Sequence, residues 1–180
     1  MSQEPGEGRV GLLRGINVGG NHQIPMARLR ELFVLLGFED VATYIQSGNV
    51  TFRAAPGTPD RSAMVEAAIA DTFGWPIRVV ERTHDDLEAI VAADPFPTAD
   101  PTKRLVMFLF DTPSDAIAAD FGHVVAGDDE AVLVGQEIHL HCPNGFGRTP
   151  LTKVLTERRL GVVATTRNWR TVRTLQEMTH

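Results

Sequence analysis

The sequence predicts an α+β protein with a ferredoxin-like first subdomain packed on a second, smaller α+β subdomain. Two observations lead to this prediction. The first eighty residues alternate between strand and helix patterns in the order β-α-β-β-α-β, which is typical of an antiparallel sheet with both helices on one face. Residues 94–102 then contain three prolines and almost no apolar periodicity. We therefore expect a ferredoxin-like subdomain over residues 1–93, a connector over 94–102, and a second subdomain ending in two helices over 103–180.

The first predicted unit is a buried strand, a polar glycine-bearing loop and an amphipathic helix within Val10–Phe38. Pro25 suits the first helical position, and Gly37 ends the apolar helical pattern. A glycine loop between a strand and a helix can present backbone N–H groups to an anion. This loop nevertheless lacks both the Gly-Lys-Ser/Thr ending of a phosphate-binding loop and the GxGxxG pattern of dinucleotide-binding folds.

A hairpin is predicted over Val41–Phe52, because side chains alternate between two faces on either side of a Ser-Gly-Asn turn. A helix with an apolar i, i+4, i+8 stripe should follow over Asp60–Phe73, and then a short strand over Pro76–Val80. Thr83, with Asp86 three residues later, resembles a capping box and predicts the start of a third helix.

The second half is predicted to contain four strands: Arg104–Phe110, His123–Ala126, Ala131–Val134 and Glu137–His141. A short helix should separate the first two of these strands. Thr149 and Pro150 form a cap and a first-position proline, which predicts a further helix. A last helix is expected to begin at Thr165 or Thr166.

The last predicted helix has two sides that repeat every three residues. Trp169, Val172 and Leu175 should face inward. Three arginines share the period about 200° around the helix and should line the solvent side: Arg167, Arg170 and Arg173. Of these, Arg167 would lie nearest the positive end of the helix dipole, where a nearby anion would be favourable.

The composition is ordinary for a globular protein, with 43% hydrophobic and 22% charged residues. The longest apolar run, Leu105–Phe110, is far shorter than the ~20 residues of a membrane-spanning helix, and the first residues do not resemble a secretory signal. The single cysteine, Cys142, excludes an intrachain disulfide and fits a reducing compartment. We therefore expect a cytoplasmic protein with no membrane partner.

Basic residues are concentrated near the end of the chain. Between Arg148 and Arg173 there are seven basic residues and one acid, Glu157, although the whole chain has a net charge of −6. This segment can form a local anion-attracting face, or its arginines can pair with acids of the first half as solvated ion pairs. Because the chain is acidic as a whole, we expect nucleic-acid binding to be weak at most.

The two late helix starts are one candidate site. The first carries Arg148 and Thr149, and the second carries Thr166, Arg167 and Asn168. A threonine hydroxyl, an arginine and the free N–H groups of a helix start together suit a phosphate or carboxylate. The alternative is that the threonines only cap their helices and the arginines are solvated.

A second candidate set is formed by Arg14 and Asn17, which follow the first strand, and by Gln46 and Asn49, which flank the hairpin turn. Whether these two ends of the sheet coincide is left open by the sequence. Asparagine also tolerates left-handed backbone and stabilises turns through its own side chain. Turn chemistry is therefore the alternative role for the two asparagines.

The sequence predicts no metal site and no cofactor. His139 and His141 share one face of a strand, whereas Cys142 points to the other face. There is no CxxC, no HExxH and no second cysteine that would complete a zinc site. No GxSxG or Ser/His/Asp spacing indicates a nucleophile, and the basic and aromatic pattern of RNA-recognition domains is missing.

Three segments together resemble one bacterial family: LLRGINVGG, TYIQSGNVTF and LTKVLTERRLGVVATTRNWRTVRTL. The chain resembles the family known as domain of unknown function 1697 over nearly its whole length. The resemblance implies an α+β protein of two subdomains, the first ferredoxin-like, and it implies no established activity, substrate or cofactor. The family commonly has a Ser-Lys pair where this chain has Thr149 and Pro150, so this helix start lacks a lysine amine.

The leading functional hypothesis is a binder of a phosphate-bearing small molecule, such as a nucleotide, that uses the Arg167 helix start and the loop from Arg14 to Asn17. One alternative is an enzyme acting on such a substrate, which a histidine or carboxylate beside the arginines in a cleft would favour. Another is a protein or nucleic-acid interaction module, which an open basic face near the C-terminal end would favour. The sequence does not decide whether the two arginine positions converge.

Overall fold

The computed structural model describes residues 6–55 and 61–180, which form two antiparallel sheets with helices packed on them. The chain divides into two compact units. The first comprises the described residues up to Glu88 together with Leu175–His180, and the second is Ala89–Thr174. None of the described helices combines the length and the apolarity that crossing a membrane requires.

The first unit contains a four-stranded sheet and two long helices. In chain order these elements are β1 (Glu7–Leu13), α1 (Met26–Leu35), β2 (Glu39–Tyr44), β3 (Asn49–Ala54), α2 (Arg61–Phe73) and β4 (Val79–Thr83). The strand order is β2-β3-β1-β4 and every neighbouring pair is antiparallel. This is the topology of a split βαβ sheet, so the predicted ferredoxin-like subdomain is confirmed, together with its hairpin.

Both helices of the first unit pack on the same face of the sheet. One apolar cluster contains Phe33 of α1, Ile69 of α2 and Phe52 of β3, all of them buried. The rings of Phe33 and Phe52 lie 5.4 Å apart between centroids, and Phe38 lies 4.5 Å from Phe52. The predicted one-sided arrangement of helices is therefore confirmed. Asp60, the first residue of the predicted second helix, lies outside the described residues.

The last residues of the chain lie against the opposite face of β1. A Cβ added at Gly8 would come 1.8 Å from the carbonyl oxygen of Thr179, so only glycine leaves room for this contact. Arg53 Nη2 also donates a hydrogen bond of 2.9 Å to the carbonyl oxygen of His180. Residues 175–180 are therefore held by the first unit.

The third helix, α3 (His84–Ala92), begins as the sequence predicts. The backbone N–H of Thr83 donates to Asp86 Oδ2 at 2.8 Å, and the N–H of Asp86 donates to Thr83 Oγ1 at 3.0 Å. This is the reciprocal geometry of a capping box.

The second unit contains a five-stranded sheet whose strand order is β6-β7-β8-β5-β9. Its strands are β5 (Arg104–Leu109), β6 (His123–Ala126), β7 (Asp129–Val134), β8 (Glu137–His141) and β9 (Ala164–Asn168). The helices of this half of the chain are α4 (Asp115–Phe121), α5 (Leu151–Val154), α6 (Glu157–Leu160) and α7 (Trp169–Met178). One face of the sheet packs on an apolar cluster that includes Leu140, Leu151 and Leu160.

The start of the last helix is a correction to the sequence prediction. Thr165 and Thr166 belong to β9, which pairs antiparallel with β5, and the helix begins only at Trp169. β-Branched threonines suit an extended strand, and pairing with the apolar β5 outweighs their capping tendency. The cap is Asn168, whose Oδ1 accepts the N–H of Thr171 at 2.9 Å.

The helix predicted from Thr149 and Pro150 is also different from the expectation, because it is split into α5 and α6, of four residues each. Leu155 leaves the helical conformation, and Thr156 then caps α6 by accepting the N–H of Arg159 at 3.3 Å. Gly161 ends α6 with a left-handed φ of 71°.

Candidate functional site

Three connections meet at one end of the first sheet. The N–H of Leu13 donates to the carbonyl oxygen of Gly48 in the hairpin turn at 2.8 Å, and the N–H of Arg14 donates to the carbonyl oxygen of Arg78 at 2.9 Å. The end of β1 and the hairpin turn therefore do coincide. We call residues 14–25, 45–48 and 74–78 the loop surface.

The side chain of Asn17 forms hydrogen bonds between two segments of the loop surface and is not available to a ligand. Its Nδ2 donates to the carbonyl oxygens of Ile24 at 3.0 Å and Gln46 at 2.9 Å, and its Oδ1 accepts the N–H of Ile24 at 2.8 Å. Asn17 also has a left-handed φ of 54°. These contacts favour the turn role that the sequence left open for this asparagine.

Asn49 has a similar role in the hairpin. It is fully buried, and its Nδ2 donates to the carbonyl oxygen of Tyr44 at 2.9 Å and to Ser47 Oγ at 3.0 Å. Of the four residues of this candidate set, Arg14 and Gln46 are the exposed ones. Any ligand of the loop surface would therefore meet these two side chains first.

The structure adds three residues to the loop surface that the sequence did not single out. The rings of His22 and Trp75 lie 5.5 Å apart between centroids. Arg78 is half-exposed, and its Nε lies 3.1 Å from Glu66 Oε1, which also accepts the N–H of Val79 at 2.8 Å. A signal for Arg78 was present, because a ferredoxin-like strand order places the start of β4 beside the end of β1.

The helix start predicted around Thr166 and Arg167 does not form, because both residues belong to β9. In β9, Arg167 lies opposite Val106 and Thr166 lies opposite Met107, so the two side chains point to opposite faces of the sheet. Arg167 is only 6% exposed, and its Nη1 donates to Thr165 Oγ1 at 2.8 Å and to the carbonyl oxygen of Thr166 at 3.0 Å. Burial lowers the pKa of Arg167 to about 10. The expectation that it lines the solvent side of a helix is wrong.

The other predictions for this helix are confirmed. Trp169, Val172 and Leu175 are buried, whereas Arg170 and Arg173 are exposed. Asn168 is exposed, but its side chain is used as the cap of α7, as described above.

The start of α5 also uses its side chain internally. Thr149 is buried, and its Oγ1 accepts the N–H of Leu151 at 3.1 Å. Arg148 is exposed beside it, but α5 is a single turn with a correspondingly small dipole. These contacts favour the capping role for Thr149.

The structure also describes the environment of the single cysteine and of possible metal ligands. Burial raises the pKa of the Cys142 thiol, which keeps it in the unreactive neutral form. Within residues 6–55 and 61–180, no group of three or more His, Cys, Asp or Glu side chains is arranged to hold a metal ion.

Comparisons with known proteins agree with the fold. A conserved bacterial protein from Streptococcus pneumoniae is similar in structure, with a TM-score of 0.75 and 23% sequence identity over 97% of this chain and 99% of that one. A search of curated proteins gave no match. The family model described as "Protein of unknown function (DUF1697)" matches residues 7–139, which is most of the chain. The chain therefore belongs to the DUF1697 family, as its sequence motifs indicate.

Proposed function

We propose that the loop surface binds a phosphate-bearing small molecule, such as a nucleotide. The observation that carries this proposal is the hydrogen bond of 2.9 Å from the N–H of Arg14 to the carbonyl oxygen of Arg78. The bond places the backbone of Arg14 beside that of Arg78, and both side chains are exposed. Arginine presents planar N–H donors that match phosphate oxygens, so the pair favours an anionic ligand.

The glycine-bearing loop supports the same proposal. Gly19 and Gly20 have φ values of 59° and 80°, and a Cβ added at either would meet no atom within 4 Å. Their backbone is open to a ligand, and N–H groups in such turns can contact phosphate oxygens directly. On the adjoining turn, Gln46 adds an exposed amide with both donor and acceptor atoms.

Two aromatic rings make a nucleotide the preferred kind of phosphate compound. His22 is exposed and Trp75 is half-buried, and their planes are tilted by 57° at a centroid distance of 5.5 Å. Planar bases stack on aromatic side chains, and a phosphate attached to the same ligand would meet the arginines.

The contact between Arg78 and Glu66 does not oppose this proposal. The Arg78 side chain is 50% exposed, and the contact from its Nε to Glu66 is 3.1 Å. Ion pairs at this level of exposure contribute about 0–1 kcal/mol, which a phosphate contact can offset. Glu66 also accepts the N–H of Val79 and so orients the first residues of β4.

The experiment is a thermal-shift titration with inorganic phosphate, ribose 5-phosphate and AMP at constant ionic strength. We expect AMP to raise the melting temperature most, because it can use both the arginines and the rings. A ligand present at about 100 times its dissociation constant should stabilise the protein by about 2.7 kcal/mol. Arg14→Ala and Arg78→Ala should each remove most of this stabilisation.

The matched control is Arg28→Ala, which removes the same charge from an exposed pair with Glu31 on α1. This variant should respond to AMP like the unaltered protein. The proposal fails if none of the three compounds stabilises the protein, or if Arg28→Ala weakens the response as much as Arg14→Ala does.

A further inference from the structure

The second sheet has a polar face that the proposed loop site does not use. Alternate residues of β5, β8 and β9 point to this face, because residues opposite one another in the register share a side. Five of them are polar or charged and buried: Arg104, Glu137, His139, Thr165 and Arg167. We call this the polar face. Burying such groups costs free energy unless each finds a hydrogen-bond partner.

The guanidinium of Arg104 has three contacts, two from Nη1 and one with an aromatic ring. It is 6% exposed, and its Nη1 donates to the carboxylate of Asp94 and to the carbonyl oxygen of Phe96, the latter at 3.1 Å. Its Cζ lies 4.7 Å from the centroid of the Trp169 ring. These contacts do not involve Nε, which is buried and has no hydrogen-bond partner within the described residues.

His139 is a neighbour of the same indole. It is 2% exposed, and its ring centroid lies 6.4 Å from that of Trp169. Its Nε2 is the other buried side-chain atom without a hydrogen-bond partner in the described part of the chain. An unpaired buried polar atom costs about 1–3 kcal/mol, so two of them near one ring point to a polar partner that the described chain does not supply.

We propose that a small oxyanion, of the size of a carboxylate, binds on the polar face at Arg104, His139 and Trp169. Its oxygens accept hydrogen bonds from Arg104 Nε and from His139 Nε2, which requires the imidazole form that carries a proton on Nε2. The indole covers the donors and keeps water away, which strengthens a charge-assisted hydrogen bond. The contacts of Asp94 and Phe96 with the guanidinium limit the space, so the ligand must be small.

The charges of the surrounding residues agree with an anion. Lys103 precedes Arg104 in the chain, and Arg170 follows Trp169. Both lie close enough to Asp100 to act on its carboxylate. Together with Arg167 and Glu137 of the polar face, four cations stand against the three carboxylates of Asp94, Asp100 and Glu137, so the local balance is positive and favours an anion.

The experiment uses formate as the probe and Trp169 as the reporter. The chain has two tryptophans, so the full-length protein with Trp75→Phe reports only on Trp169. Formate replaces chloride at constant ionic strength while the indole emission is recorded. We expect a saturable change, because the ligand lies beside the ring that covers Arg104 and His139.

Two variants test the two donors. Arg104→Lys keeps the positive charge beside Asp94 but lacks Nε–H, and His139→Phe keeps a ring of similar size without Nε2. Each should weaken the apparent affinity for formate by about tenfold or more, as expected for loss of a hydrogen bond to a charged group. Arg158→Lys on α6 is the matched control, because Arg158 is exposed and not part of the polar face.

The outcomes separate this proposal from the function proposed for the loop surface. A formate response that survives Arg14→Ala but not Arg104→Lys supports the polar-face site, whether or not AMP binds elsewhere. The proposal is overturned if formate and chloride give the same emission at every concentration. If either variant fails to fold, the imidazole nitrogen shifts of His139 in the unaltered protein decide instead. A shift of Nε2 on adding formate supports the site, and unchanged shifts overturn it.

Discussion

The loop surface and the polar face place the same kind of residue in opposite environments. Arg14 follows the end of a strand and is exposed, whereas Arg167 lies within β9 and is 6% exposed. The backbone position decides the difference, because Arg14 lies in a loop beyond its strand, whereas Arg167 lies in an edge strand on a face of the sheet that is buried. Exposed arginines can serve a ligand without holding the fold, whereas buried arginines hold the fold first.

The largest expected effect comes from removing a buried arginine. Arg167→Ala should lower the free energy of unfolding by about 2–3 kcal/mol, because it deletes a buried side chain and its hydrogen bond to Thr165. Arg14→Ala should change it by less than about 0.5 kcal/mol, as is usual at an exposed position. Urea denaturation of both variants measures the contrast. Equal losses would mean that burial does not separate the two arginines.

A smaller effect is expected inside the loop surface itself. Asn17→Ala should cost about 1–2 kcal/mol, because it removes the bonds to Ile24 and Gln46 and leaves a left-handed backbone position to alanine. Gln46→Ala should be close to neutral, since its carbonyl still accepts from Asn17. Chemical denaturation of the two variants tests this. An unchanged free energy of unfolding in Asn17→Ala would show that the loop does not depend on the side-chain hydrogen bonds of Asn17.

The smallest expected effect is the dependence of stability on pH through His139. Burial lowers the pKa of His139 below its ordinary value of 6.5, although nearby Asp94 opposes the shift. The unfolded chain therefore binds more protons than the folded one, and stability should fall as the pH falls below 6.5.

Denaturation between about pH 7 and pH 5 measures this dependence, since that is where histidines titrate. The titratable groups that face His139 include Asp94, whose charge acts on it, and Glu137 and His141 on its own strand. His139→Phe should flatten the pH dependence, whereas His123→Gln, at an exposed histidine, should not. An unchanged slope in His139→Phe would assign the pH dependence to other groups.

The first unit could be predicted from the sequence because its signals are local. The alternation on both sides of Ser47–Asn49 defines the hairpin, and the apolar spacing around Phe33 defines α1. The candidate site was harder to predict from the sequence. Thr165 and Thr166 have the side chains of helix caps, and only pairing with β5, some sixty residues earlier, makes them a strand. No local pattern marks an arginine that will be buried, and only the ferredoxin-like strand order, not a local pattern, indicates that Arg78 lies beside Arg14.

Gly8 has a consequence for how the protein is made. Its missing Cβ leaves space for the carbonyl of Thr179, so the first unit includes residues from both ends of the chain. β1 leaves the ribosome long before residues 175–180, which follow it by about 160 residues in the sequence. Domains usually fold in the order of synthesis, N-terminal part first. Here the face of β1 that carries Gly8 stays uncovered until residues 175–180 have been synthesised, so the first sheet cannot complete its contacts in the order in which its strands are made.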